Sequence, residues 1–274
     1  MIADSCQRWR DHRDAYRPAG EPIRTAVYEV AEMASDREAR AFVERHHYSG
    51  SFPAALRRYG LFRRDELVGV AVLSQPASQA ALEACLPFAR EGRAELGRFV
   101  LLDDVPANGE SWFLARCFEL ARRDGFAAIV AHSDPEPRRA GDAVVFAGHI
   151  GTIYQATNAV YVGRAPRRTR RMFADGSVLS DAALSKLRSR KRGWRYATEL
   201  LVEHGAEPPA SDLMPDTDWR VWVRNAVDAT TTAFRHSGNH RYVWALDRAL
   251  RPRLPRAWVT APALAYPKWE RAAA

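Results

Sequence analysis

Residues 94–134 read AELGRFVLLDDVPANGESWFLARCFELARRDGFAAIVAHSD, and this run decides the fold. Ala94–Leu102 is apolar enough for a buried strand, with Gly97 where a bulge or a splay would sit. Asp103–Glu110 is a cluster of turn formers. Ser111–Arg123 repeats its apolar residues (Trp112, Phe113, Cys117, Phe118, Leu120, Ala121) with the 3.6 period of a helix, closed at Gly125. Phe126–Ala131 is a second buried strand, running into His132-Ser133-Asp134-Pro135. A strand–turn–helix unit of this kind can cradle a ligand at the start of its helix.

Outward from this unit, Ile23–Val30 alternates as a strand does. Ser35 then opens a helix, with Glu38 completing a capping box, and the helix ends near His46-His47-Tyr48. Arg58–Arg63 and Leu67–Leu73 read as a hairpin, and a connection containing Pro76 and Pro87 leads to the central run. Past Asp134 a polar insertion reaches His149, followed by a short helix over Ile150–Thr157 and a strand from Val160 to Gly163. Summed, the order predicts an α/β (α+β) fold, a mixed sheet covered by helices over residues 23–175. Residues 1–22, broken at Pro18-Ala19-Gly20, read as a poorly ordered leader. Residues 176–274 read as a helical, basic extension: Ser180-Asp181 caps a helix to about His204, Pro208-Pro209 break it, and an aromatic, basic tail follows from Trp219.

The chain has 274 residues, 47% of them apolar, enough for a sizeable core and too many for wholesale disorder. No window approaches the apolar run of a membrane span, and the first thirty residues lack a secretory signal. Cys6, Cys85 and Cys117 stand in unrelated contexts without a CxxC spacing, so they read as thiols in a reducing, cytoplasmic compartment. The formal charge is +8, and its distribution says more than its size. Between Arg164 and Arg195 eleven arginines and lysines face two aspartates, so the rest of the chain is close to neutral. Charge concentrated in this way attracts a polyanion far better than charge spread evenly. The expected contacts to a nucleic acid are Arg167, Arg168, Arg170, Arg171, Arg188, Arg190, Lys191, Arg192 and Arg195, with Trp194 and Tyr196 able to stack or wedge. The plainer alternative is a solvated helix face in an arginine-rich protein.

Four places carry groups suited to chemistry. His46-His47-Tyr48-Ser49-Gly50 sits at a helix-to-loop junction, where imidazoles act as acid, base or ligand and a tyrosine orients a substrate. A histidine pair that answers the helix dipole is the alternative. Asp134 lies past the carboxyl end of a buried strand, where open sheets place their ligands, or is the turn residue before Pro135. Tyr154 offers a hydroxyl or simply fills the core. Ser111 begins a helix and either holds an anion or caps the turn.

Several phrases in order carry a resemblance: Arg45-His46-His47-Tyr48-Ser49-Gly50, Leu96-Gly97-Arg98-Phe99-Val100, Asn108–Cys117, Ser133-Asp134-Pro135, and His149–Ala156 through Tyr161-Val162-Gly163-Arg164. Together they resemble the Mom proteins of Mu-like phages over about residues 40–165, with a weaker echo at His240-Arg241-Tyr242. The resemblance implies a GNAT-like fold and an enzyme that converts the exocyclic amine of adenine in DNA to a carbamoylmethyl-amine, protecting phage DNA from restriction in the host cytoplasm. It implies catalytic roles for Asp134, His47, Tyr48 and Tyr154, donor positioning by Arg98 and Ser111, and double-stranded DNA as the partner of the basic tract and of a DNA-binding extension over residues 176–274. An iron requirement is associated with the family, although the sequence shows no ligand set for a metal. The stretch between Asp134 and His149 is longer than the family pattern.

The donor is left between glycyl-tRNA and acetyl-CoA. The turn at Asp103–Gly109 lacks the Arg/Gln-x-x-Gly-x-Gly/Ala that wraps pyrophosphate, and its two carboxylates would repel one by about a kcal/mol each if solvated. A glycyl group is a constitutional isomer of the carbamoylmethyl adduct, and a basic tract able to hold tRNA as well as DNA fits such a donor. The rival readings are a GNAT-type N-acetyltransferase acting on a small molecule or protein, and a non-catalytic DNA-binding protein.

Overall fold

The computed structural model describes residues 5–10, 13–76, 78–87, 89, 91–252 and 265–268. β1 (Ser5–Arg10) and β2 (Arg13–Pro18) pair as an antiparallel hairpin, so the expected leader has regular structure. β3 (Tyr28–Glu32) follows a 3-10 turn at Thr25–Val27 and starts later than the alternation from Ile23 predicts. α1 (Asp36–His46) begins after an extended Ser35 that makes no side-chain capping bond. β4 (Ala55–Arg63) and β5 (Glu66–Ser74) form the expected hairpin, turning through a left-handed Arg64. The connection that follows holds a short helix, α2 (Gln79–Cys85), which no periodicity announced; the Ser78 hydroxyl caps it by accepting from Ala81 N–H at 3.3 Å.

β6 (Arg93–Leu101), α3 (Gly109–Arg123) and β7 (Ala128–Ser133) realise the central unit as read. The insertion after Asp134 carries a small hairpin, β8 (Arg138–Ala140) and β9 (Ala143–Phe146), before α4 (Thr152–Ala156) and β10 (Val160–Arg164).

Beyond residue 165 strands and helices are mixed, which corrects the helical extension expected from residue 176. β11 (Arg168–Phe173) and β12 (Val178–Leu179) are strands. The helix expected from Ser180 to His204 is two, α5 (Asp181–Ser189) and α6 (Trp194–Glu203), because Arg190 (φ 44°) and Gly193 (φ 87°) turn left-handed between them. α7 (Asp216–Thr230) runs into β13 (Thr231–His236), and β14 (His240–Ala245) follows. β-branched and aromatic residues (Thr231, Thr232, Phe234; Tyr242, Val243, Trp244) favour these last strands.

The chain forms two compact units. One comprises Met1–Pro135, Ala147–Ala165 and Asn239–Ala274, the other Glu136–Phe146 and Pro166–Gly238. The division therefore falls at 165/166 where the sequence suggested 175/176, and the chain returns to the first unit at Asn239. The first unit is built on a seven-stranded mixed sheet in the order β10-β14-β7-β6-β5-β4-β3, flanked by helices as expected. Every neighbouring pair is antiparallel except β6 and β7. On one face α3 and α4 bury Phe113, Leu114, Cys117 and Tyr154 against Leu61, Leu73, Leu96, Leu101, Ile129, Tyr242 and Trp244. On the other, α1 covers Val70, Val72 and Val100, and α2 covers Ala128, Val130 and Val243. Full burial of each large side chain stabilises by about 1.5–3 kcal/mol, which is why β5, apolar on both faces, reads as an unbroken hydrophobic run.

The second unit packs α5, α6 and α7 around Leu187, Leu201, Val223, Val227 and Trp219, with a three-stranded sheet in the order β12-β11-β13. The Trp219 indole donates to the Leu187 carbonyl at 2.7 Å and packs on Trp194 and Trp222. Among the described residues no helix is long and apolar enough to cross a membrane.

Candidate active site at the split of the sheet

β6 and β7 pair over three positions only, Arg93–Ala128, Ala94–Ile129 and Glu95–Val130. Past them β6 stays with β5 to Leu101 and β7 stays with β14 to Ser133, so the parallel pair parts and opens a split. The parting coincides with a bulge between Leu96 and Arg98, at Gly97, where a Cβ would strike the Ser74 hydroxyl and meet Pro53 at 3.2 Å. The glycine singled out in the sequence therefore stands where the strands separate.

α1 ends in extended backbone at His47 and delivers the loop Tyr48–Ala54 to this split. Arg98, from β6, clamps that loop: its Nε donates to the Ser51 carbonyl at 2.7 Å, its Nη2 to the Ser51 hydroxyl at 2.8 Å, and its Nη1 to the Gly97 carbonyl at 2.5 Å. Burial lowers its pKa while Tyr48, Glu95 and Tyr154 raise it, so all three lie within electrostatic reach. Expected to position a donor, Arg98 spends its donors on the chain's own loop.

The Nδ1 of His47 accepts from the Ser49 N–H at 3.1 Å. An amide can only donate, so the proton of the neutral ring sits on Nε2. Burial, reinforced by Arg98 and His149, holds this imidazole well below its usual pKa and keeps it neutral. The Tyr48 ring lies 4.2 Å from that of His47, and its hydroxyl is 3.4 Å from His149 Nε2.

Tyr154 stands on α4, buried against Tyr242 (centroids 5.4 Å apart) and perpendicular to Trp244 (5.5 Å). Burial above all, then Tyr48, Tyr242 and Glu95, pushes its hydroxyl far above the ordinary pKa, so it donates rather than deprotonates. Tyr242 in turn bonds the Ile150 carbonyl and fixes the α4 entry, where Gly151 adopts φ 73°. Asp134 follows β7 directly and is 6% exposed, and its carbonyl accepts from the His149 N–H at 2.8 Å.

His47, Tyr48, Arg98 and Tyr154 are thus brought together, and Asp134 is tied to the same group through the main chain of His149. Ser111 has a different setting: it lies in the first turn of α3 and its hydroxyl donates to the Asn108 carbonyl at 3.2 Å. Sequence reasoning missed His149 as a site residue, as well as the pair Glu95 and His132 at the point of parting. His132 Nδ1 lies 3.1 Å from Glu95 Oε1. Although burial opposes its charge, hydrogen bonds to Cys85 and Glu95 push its pKa up to about 9. The available signal was a charged residue in the middle of a buried strand.

The start of α3 is filled by the chain itself. The Ala107 N–H donates to the Glu21 carboxylate at 3.3 Å and the Asn108 N–H to the Glu21 carbonyl at 3.1 Å. Arg17 binds Glu21 at 2.8 Å, Arg10 binds Asp103 at 2.8 Å, and Arg8 pairs with Glu110. Glu21 already answers both amides, one through its carboxylate and one through its carbonyl, and the carboxylate would repel a pyrophosphate, so the residues present do not fit a coenzyme A donor at this turn. Iron fits no better. Among the described residues no three His, Cys, Asp or Glu side chains form a metal-holding group.

In the second unit the expected DNA contacts divide. Arg168, Arg171 and Arg195 pair with Asp181, Asp228 and Asp212 at 2.8, 2.8 and 2.9 Å. Arg190 lies over the Trp219 ring and donates to the Met214 carbonyl at 2.7 Å, a structural role. Trp194 is packed into the core, leaving Tyr196, 59% exposed, as the aromatic side chain free to stack. Arg167, Arg188, Lys191 and Arg192 are exposed, and Arg170 is half-buried.

The sequence pattern of the Mom protein family matches residues 27–268. Among solved structures, a Bacillus subtilis acetyltransferase in complex with CoA is similar at 12% identity over 80% of this chain and 97% of that one, with a TM-score of 0.32. N-acetylglutamate synthase from Neisseria gonorrhoeae, complexed with coenzyme A and N-acetyl-glutamate, is similar at 13% identity over 81% and 35%, with a TM-score of 0.30. A tandem GNAT protein from the clavulanic acid biosynthesis pathway, without AcCoA, is similar at 10% identity over 80% and 99%, with a TM-score of 0.39. No curated protein matches the chain.

Proposed function

The chain belongs to the Mom protein family, and from that premise we propose that it is a group transferase that hypermodifies phage DNA, converting adenine to N6-carbamoylmethyladenine and so shielding the DNA from host restriction. The observation that carries this reading is the gathering of His47, Tyr48, Arg98 and Tyr154 at the split between β6 and β7, with Asp134 at the end of β7.

The reacting nitrogen is engaged in base pairing, so adenine leaves the stack. That costs a few kcal/mol, which phosphate contacts offset. The exposed cations of residues 167–192 supply those contacts. The amine is a poor nucleophile because its lone pair is delocalised into the ring, and Asp134 takes or orients its proton as the donor carbonyl is attacked. Tyr154, held protonated, donates to the carbonyl oxygen or leaving group, and Tyr48 holds the everted base. His47 donates through Nε2–H, which makes Asp134 the better base of the two. Arg98 acts by fixing the loop that carries Tyr48.

The donor that best suits this chain is an aminoacyl ester, glycyl-tRNA. Glu21 at the start of α3 argues against a pyrophosphate there, and the isomeric relation of glycyl to carbamoylmethyl removes any need for a separate amination. The N6–carbonyl bond forms as the ester bond to tRNA breaks, the N6 proton balancing the one taken up by the departing ribose oxygen; in the isomerisation the N6–carbonyl and CH2–NH2 bonds are exchanged for N6–CH2 and carbonyl–NH2 bonds, with no atom or electron gained or lost.

Mass spectrometry of nucleosides from plasmid DNA after co-expression tests the reaction: carbamoylmethyl-adenosine is expected, and unaltered DNA overturns the reading. Incubation with labelled glycyl-tRNA and, separately, labelled acetyl-CoA tests the donor. Label reaching DNA only from the thioester excludes the glycyl route.

A further inference from the structure

A groove of about 420 Å³ opens in the second unit along β11, α5 and α7. Leu184, Val223 and Val227 form its apolar part, and Arg171, Arg188, Arg220 and Arg224 surround it with one carboxylate, Asp228. Asp228 is held by Arg171 at 2.8 Å. No described carboxylate pairs with Arg188, Arg220 or Arg224, all three of them exposed. Arg220 and Arg224 stand one turn apart on α7, where like charges repel. Folding gains nothing from this arrangement, whereas an anion entering the groove would relieve it.

Guanidinium groups offer paired N–H donors that match phosphate oxygens, and an apolar wall between them suits a sugar or base ring. We infer that this groove takes the phosphodiester backbone of the DNA substrate, its phosphates on Arg188, Arg220 and Arg224 and a sugar or base ring against the half-buried Leu184. The inference rests on the DNA-modifying reading and deepens it. Arg220 and Arg224 lie beyond the basic tract of residues 164–195, in what the sequence marks only as an aromatic, basic tail, and neither is among the DNA contacts expected from it.

The test uses the full chain and the double variant Arg220→Ala/Arg224→Ala, titrated with a labelled DNA duplex and with labelled tRNA at rising salt. The plot of log affinity against log salt should lose about two units of slope, with affinity down tenfold or more, because each phosphate contact contributes about 0.9 to that slope. The loss is expected on the DNA duplex; a loss confined to tRNA overturns the assignment. Unchanged affinity and slope on both overturn the proposal. If alanine at Arg167 and Arg192 weakens binding while the double variant does not, the groove fails and the wider reading stands; a wild-type chain that binds neither nucleic acid sinks both. Removing a repulsion should leave the melting temperature at or above wild type, and Arg220→Gln/Arg224→Gln, which keeps side-chain length, repeats the measurement without the charges.

Discussion

The main-chain N–H of His149 donates to the carbonyl of Asp134 at 2.8 Å. This single bond closes the excursion that carries β8 and β9 and leaves the two residues adjacent. Asp134 at the end of β7 is thereby held beside the segment that leads from His149 to Tyr154.

Asp134→Asn keeps the shape and the main-chain bond while removing the basic oxygen. DNA modification should fall to background in the nucleoside assay, with duplex affinity within about twofold of wild type. Full activity would remove Asp134 from the mechanism.

Arg98 makes three hydrogen bonds to Ser51 and Gly97. Arg98→Ala should cost about 2 kcal/mol in urea unfolding and lower modification by loosening the Tyr48 loop. Arg98→Lys keeps the charge without the fork, so it should restore little of either. Rescue by lysine would mean that charge alone matters there.

Gly151 sits at φ 73°, and a Cβ there would come within 2.7 Å of the Tyr154 ring and 2.8 Å of Tyr242. Gly151→Ala should destabilise by about 1–3 kcal/mol, from backbone strain and overpacking together. Because Tyr154 must shift, modification should fall more steeply than stability. A thermal melt and nucleoside analysis of the same preparation separate the two.

The His132–Glu95 pair sets a pH dependence. The folded imidazole titrates near 9 against an ordinary 6.5, so the folded state holds the proton more tightly. Its stabilisation is complete below about pH 6.5 and is lost as pH rises through about 9. Melting temperature should decline across that window in wild type, and His132→Asn should flatten the decline. A parallel decline in both would assign it elsewhere.

The residues of the site were legible in the sequence where chemistry is local. The helix-to-loop junction at His47-Tyr48, the strand end at Asp134 and the glycine of the bulge were read from spacing and residue type. Their roles were less so. Arg98 and Arg190 look alike in sequence, as cations available to a ligand, yet one clamps a loop and the other lies over an indole. Which partner a guanidinium meets depends on residues tens of positions away.

The same division holds for the fold. Apolar periodicity alone fixed the strand–turn–helix–strand core of residues 94–134, because burial of a local face selects between periods of 2 and 3.6 within one element. The concentration of positive charge was equally plain. Only the tertiary structure decided that β14, from near the end of the chain, inserts between β10 and β7, that β6 and β7 part after three residue pairs, and that Arg220 and Arg224 join Arg188 around one groove. Strand order, register and cross-element contacts are set by long-range pairing, and no period along the chain encodes them.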